Sequence, residues 1–165
     1  MLKKIIKKIG VFALTCSLLI PVLGNAEQVK ADGLDEVGQI VDGSVLTTDA
    51  ETESTYNVYA RSSLLNYGTV KLSDLGNRVV SVGGSTVCHR TCTTVRLYMI
   101  LQRKVNGSWT NYRTWQYTAN NTSLLSRSIQ VSVAGGYYYR AIGSYSATYG
   151  STESGSSTTN GIWIP

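Results

Sequence analysis

Residues 131–145, Val-Ser-Val-Ala-Gly-Gly-Tyr-Tyr-Tyr-Arg-Ala-Ile-Gly-Ser-Tyr, hold an alternating run ending at Val133, a Gly135-Gly136 corner and a second alternating run. Tyr137, Tyr139, Ala141, Gly143, Tyr145 and Ala147 fall on one side of that second run, as the period of two in an extended strand requires. No stretch constrains the chain more, because a helix would scatter these side chains around its circumference. The same period recurs elsewhere. Val95, Leu97, Met99 and Leu101 share one face of the longest strand candidate, Val95–Arg103. Thr69–Leu72, Arg78–Val82, Ser108–Tyr117, Ile129–Val133 and Gly161–Ile164 supply further strands, with turns at Leu75-Gly76-Asn77 and Asn106-Gly107. Gly83-Gly84-Ser85 reads as a break or bulge, and Thr118–Ser123 and Gly150–Asn160 read as polar loops.

About seven short strands at this spacing, with Gly-rich turns and no helical period outside the N-terminus, predict an all-β domain over 61–165. The expected architecture is an antiparallel β-sandwich. A chain of 165 residues suits one such domain and a targeting segment.

That segment is legible. Lys3, Lys4, Lys7 and Lys8 precede the apolar run Ile9–Ile20, Pro21 breaks it, and small residues follow. The pattern predicts a signal helix in residues 1–31, cleaved after Ala26 or Ala31 and taking Cys16 with it. The run is shorter than the ~20 residues a membrane span needs, so the expectation is a secreted, extracellular protein. Residues 32–60 read as an acidic arm, with a hairpin at Asp42-Gly43 and a linker at Glu51–Ser54 that docks onto the domain or stays disordered. Seven of the ten acidic residues lie between Asp32 and Glu53, whereas from Arg61 onward ten Lys and Arg face only Asp74 and Glu153. The basic residues are dispersed, which favours an ordinary solvated surface over a polyanion site. With no basic run and an export signal, nucleic acid is not an expected partner; membrane contact is open but not favoured.

The spacing Val133-x-Gly-Gly-x-x-Tyr139, followed by Ala141, resembles the E–F corner of immunoglobulin-like and fibronectin-like sandwiches. The resemblance implies that the Tyr139 hydroxyl bonds back to the upstream backbone. A two-glycine corner equally fits a tight hairpin between neighbours in one sheet. From Gln39 to Ile164 the chain also resembles a family of small secreted Gram-positive proteins described only as a domain of unknown function. Leu101-Gln-Arg, Trp109, Gly136-Tyr-Tyr-Tyr-Arg140 and Gly161-Ile-Trp carry that likeness. It implies secretion and brings no activity with it.

Cys88-His89-Arg90-Thr91-Cys92 holds two of the three cysteines and the single histidine. In an exported protein the expected state is a Cys88–Cys92 disulfide, which needs a turn there. Free or intermolecularly paired thiols, and a metal on Cys88, His89 and Cys92, are the alternatives; the metal lacks a fourth ligand. No catalytic constellation, cofactor motif or metal site is expected: neighbouring His89 and cysteine side chains on a strand face opposite ways, and no phosphate-cradling loop is present.

The aromatic content suits an unidentified extracellular glycan or protein ligand, with Tyr98, Trp109 and Trp115 as candidate contacts. A plain two-residue turn at Asn106-Gly107 sets Trp115 opposite Tyr98 and puts both tryptophans outside; a three-residue turn sets it opposite Leu97 and turns both inward. The expected function is a non-catalytic binding module. The alternatives are a bacteriocin-like or membrane-active antagonist and an assembly subunit pairing through edge strands, and the sequence leaves oligomeric state open.

Overall fold

In a computed structural model that describes residues 43–57 and 62–165, eight strands form one curled, mixed sheet. They are β1 (Leu46–Thr47), β2 (Glu51–Asn57), β3 (Leu65–Asp74), β4 (Val79–Val105), β5 (Ser108–Ser132), β6 (Tyr137–Tyr149), β7 (Ser151–Thr158) and β8 (Gly161–Ile164). The expected signal segment, Cys16 and the arm as far as Asp42 lie outside the described residues.

The frame is the β4–β5 hairpin, zipped from Val105↔Ser108 at its tip to Val79↔Ser132. Asn106 (φ 50°) and Gly107 (φ 81°) take the left-handed conformation at both central positions that a two-residue hairpin turn demands. β5 occupies one edge of β4. The other edge is divided, with Val80–Cys88 pairing β3 and Thr94–Arg103 pairing β6. Between the pairs Val87↔Leu124 and Cys92↔Thr122, residues 88–91 of β4 stand against Ser123 alone. The surplus makes a bend, and beyond it β4 lies over its own first half. A Cβ on Gly84 would sit 2.8 Å from Met99 Sδ and 3.2 Å from Leu97 Cδ1. Gly83-Gly84 is therefore no break: the ladder runs through both residues, and the missing side chain of Gly84 leaves room for Met99 and Leu97 of the second half.

The core fills the space between the halves. Val70, Leu72, Val80 and Val82 come from one side, and Val95, Leu97, Met99, Leu101, Ala141 and Ala147 from the other, all fully buried. Each large aliphatic side chain so buried contributes about 1.5–3 kcal/mol.

Several expectations are corrected. The sheet is mixed rather than antiparallel, because Leu46–Thr47 runs parallel to Gly161–Ile162. Thr118–Ser123 continues β5, and Gly150–Asn160 contains β7. The supposed linker Glu51–Ser54 lies in β2, with Thr52 and Ser54 buried. These segments lack apolar alternation because hydroxyls and backbone satisfy their inward positions. The Ser157 hydroxyl donates to the Ser54 carbonyl at 3.1 Å, so its own oxygen accepts from the Tyr145 hydroxyl at 2.7 Å. Glu51 also pairs with Lys71 at 2.8 Å, tying this acidic residue of the arm to β3.

The Gly135-Gly136 corner carries the chain from one edge of β4 to the other, since β5 and β6 pair with opposite edges. Gly136 N–H donates to the Ile164 carbonyl at 2.7 Å, and a Cβ on Gly135 would collide with the Pro165 carbonyl.

Candidate functional site

Beyond the bend, β5, β4, β6 and β7 lie side by side, and their outward positions are mostly polar. The register aligns Gln116, Tyr98, Ser144 and Ser156 in one row across the four strands. The next row is Thr118, Arg96, Ser146 and Ser154. Four strands span ~14 Å, and residues two apart on a strand are ~6.8 Å apart. Serines on β6 and β7 leave the surface low beside the longer Tyr98 and Arg96 side chains. The result is an open groove of about 480 Å³, lined by both rows except Thr118, with Tyr145 and Gly155. That volume lies within the range of small-ligand sites.

The lining offers four serine hydroxyls that donate and accept, one carboxamide, the Tyr98 phenol ring and the Arg96 guanidinium. None of the lining residues is His, Cys, Asp or Glu, so the groove presents hydrogen bonds, a ring face and one positive charge.

The sequence-predicted contacts part company. Tyr98 lines the groove. Trp109 opposes Lys104 on the outward face, near the hairpin tip. There the Arg140 guanidinium lies 4.4 Å from its ring centroid and Lys104 Nζ lies 5.6 Å away. Arg140 also donates to the Gln102 side chain at 2.8 Å and the Gly43 carbonyl at 3.0 Å, and burial lowers its pKa. Trp115 opposes Met99 and packs against the core. Neither expected register occurs. The turn has two residues, but Tyr112 is an extra residue between the pairs Gln102↔Asn111 and Leu101↔Arg113. That bulge moves Trp115 to the inner face while Trp109, before it, stays outside.

Tyr139 is fully buried, and its hydroxyl donates to the Ala134 carbonyl at 2.8 Å across the corner. Tyr112 meets its ring edge-on at 5.6 Å between centroids, and burial raises the Tyr139 pKa.

Cys88 and Cys92 flank the bend, both buried and unbridged. Burial, aided by a hydrogen bond with the Cys92 thiol, pushes the Cys88 thiol up to about 12. The Cys92 thiol donates to the Arg90 carbonyl at 3.5 Å. His89 lies exposed between them, its backbone N–H donating to the Leu64 carbonyl at 2.9 Å. Among the described residues no three His, Cys, Asp or Glu side chains converge as a metal site.

Glu153 is the feature that sequence reasoning passed over. The backbone N–H groups of Ser63, Leu64 and Leu65 donate to its carboxylate at 3.0, 3.1 and 2.9 Å, as do the Ser62 and Ser63 hydroxyls. The Ser62 hydroxyl first, and then the three amides, hold the carboxyl down at about 2. Its odd position sets it on the opposite side of β7 from Ser154, beside the buried Ala147.

The sequence matches no protein-family model and no curated protein.

Proposed function

We propose that the protein is an exported, non-catalytic binding module, built as an immunoglobulin-like β-sandwich, that seats a saccharide in the groove on its outer face. The observation that carries this reading is the groove's chemistry. Ser144, Ser146, Ser154, Ser156 and Gln116 present donors and acceptors at strand spacing, and Tyr98 adds a ring face. A polyhydroxylated chain needs that combination, because every sugar hydroxyl taken from water must be re-bonded while its C–H faces find an apolar surface. A protein ligand fits less well, since its anchors call for deep apolar pockets.

Other features support the finer parts of the reading. The approach of Gly84 to Met99 supports two packed layers, and the Tyr139–Ala134 bond supports the immunoglobulin-like corner. Lys3 to Ala31 and the likeness to small secreted Gram-positive proteins support export and an extracellular site of action. The serine hydroxyls of the groove have no His, Cys, Asp or Glu beside them in its lining to activate them, which supports binding without chemistry.

Binding to an array of cell-wall and extracellular polysaccharides, with Tyr98→Ala beside the wild type, tests the proposal. It expects at least one glycan class retained by the wild type and lost by Y98A. Retention unchanged by Y98A removes the groove as the seat.

One observation favours a second reading, a membrane-active antagonist: residues 75–165 hold eight Lys and Arg against the single carboxylate of Glu153. Dye release from anionic vesicles at micromolar protein supports it, and intact vesicles count against it.

A further inference from the structure

We infer that the ligand seated in the groove is anionic, a polyhydroxylated chain whose carboxylate or phosphate is taken by the Arg96 guanidinium. The inference rests on the groove being the ligand seat and adds the charge class of the ligand.

Six of the eight Lys and Arg in residues 75–165 lie over aromatic rings: Arg90 on Tyr149, Arg103 on Tyr112 and Tyr137, Lys104 and Arg140 on Trp109, Arg113 on Tyr112, and Arg127 on Tyr117. Arg96 is different. It is exposed, and among the described residues its side chain has no hydrogen-bond, ion-pair or ring partner. Its backbone is fixed, however. It pairs with Thr118 and Ser146, and its carbonyl accepts from the buried Thr86 hydroxyl at 3.0 Å. The guanidinium thus rises from a rigid strand into the groove with its hydrogen-bonding fork unused.

The surrounding field is uncompensated as well. Across these four strands the outward positions carry no Asp or Glu; the single carboxylate, Glu153, faces away and its oxygens are engaged by the amides and hydroxyls of Ser62–Leu65. A carboxylate in the groove would have neutralised Arg96 and suited a neutral sugar. Its exclusion leaves a positive seat ringed by Ser146, Ser154 and Gln116 hydrogen bonders, which is the complement of an anionic oxygen group next to hydroxyls.

Titration calorimetry at two salt concentrations tests this with three probes: an oligogalacturonate, its neutral methyl ester, and a glycerol phosphate oligomer. A charge-assisted contact of this kind predicts that at least one anionic probe binds roughly ten- to a hundredfold tighter than the methyl ester, with the preference falling as salt rises. Arg96→Gln is expected to erase the preference and Arg96→Lys to keep part of it, with both variants melting like the wild type because the side chain is exposed. Uronate and phosphate arms separate a carboxylate reader from a phosphate reader. Equal affinity for acid and ester, or a preference that survives R96Q, overturns the charge assignment while leaving the groove as a seat. Binding of all three probes that Tyr98→Ala leaves intact overturns the seat itself, as does no binding of any of them.

Discussion

The Tyr139 hydroxyl spans the corner to the Ala134 carbonyl from a fully buried ring. Tyr139→Phe keeps the ring and its edge contact with Tyr112 but strands that carbonyl, so chemical denaturation should show a loss of about 1–2 kcal/mol. Glu153 acts at the other end of the molecule. Its folded pKa of about 2 lies below the ordinary 4.5, so its contribution to stability is complete above pH 4.5 and fades as pH falls toward 2. Glu153→Gln should therefore lower the melting temperature at pH 7 and flatten its acid dependence between pH 4.5 and 2. An unchanged acid limb would show that the five donors do not hold a carboxylate in solution. Cys88 works in the opposite sense. A thiol raised from 9.0 to about 12 stabilises the fold fully below pH 9 and loses that contribution as pH climbs toward 12. Cys88→Ala should make the decline above pH 9 shallower. Part of the decline should remain, because Tyr139 and Tyr145 are also raised by burial from their ordinary 10.0.

Among the elements, the hairpin and its bend decide what the sequence could reveal. Strong alternation marked Val95–Arg103 and Tyr137–Ala147 plainly, since apolar side chains there face the core on every second residue. β7 and the middle of β5 carry hydroxyls on both faces, so nothing periodic announced them. The register was hidden for a different reason. A turn dipeptide fixes the tip, but a bulge five residues past Gly107 resets every pairing beyond it, and Tyr112 carries no mark that distinguishes it from its neighbours. The two adjacent glycines of β4 make the bend's consequences measurable. A Cβ on Gly84 would lie 2.8 Å from Met99 Sδ and 3.1 Å from the Thr69 carbonyl, whereas nothing would approach a Cβ on Gly83 nearer than 3.8 Å. Gly84→Val should cost roughly 1–3 kcal/mol through overpacking. Gly83→Val should be neutral or slightly stabilising, by up to about 1 kcal/mol, because a strand interior disfavours glycine. Equal costs at the two positions would contradict the folded-over path of β4.

At the scale of the whole molecule, all-β structure was readable from periodicity, and the groove was not. Its residues come from positions 96–98, 116, 144–146 and 154–156, which only the strand register brings into two rows. Tyr98 stood out as an aromatic on an outward position. Ser144, Ser146, Ser154 and Ser156 are individually ordinary and acquire meaning only as a surface. The acid-free outer face was written in the sequence as the gap between Asp74 and Glu153, but its significance depended on Glu153 pointing away from it. The proposed ligand seat is this groove. Amide chemical-shift mapping with the tightest-binding saccharide tests that most directly. The predicted result is a set of saturable shifts confined to Arg96–Tyr98, Gln116, Ser144–Ser146 and Ser154–Ser156. Saturable shifts centred instead on Trp109 and Arg140, or on the Cys88–Cys92 bend, would contradict it.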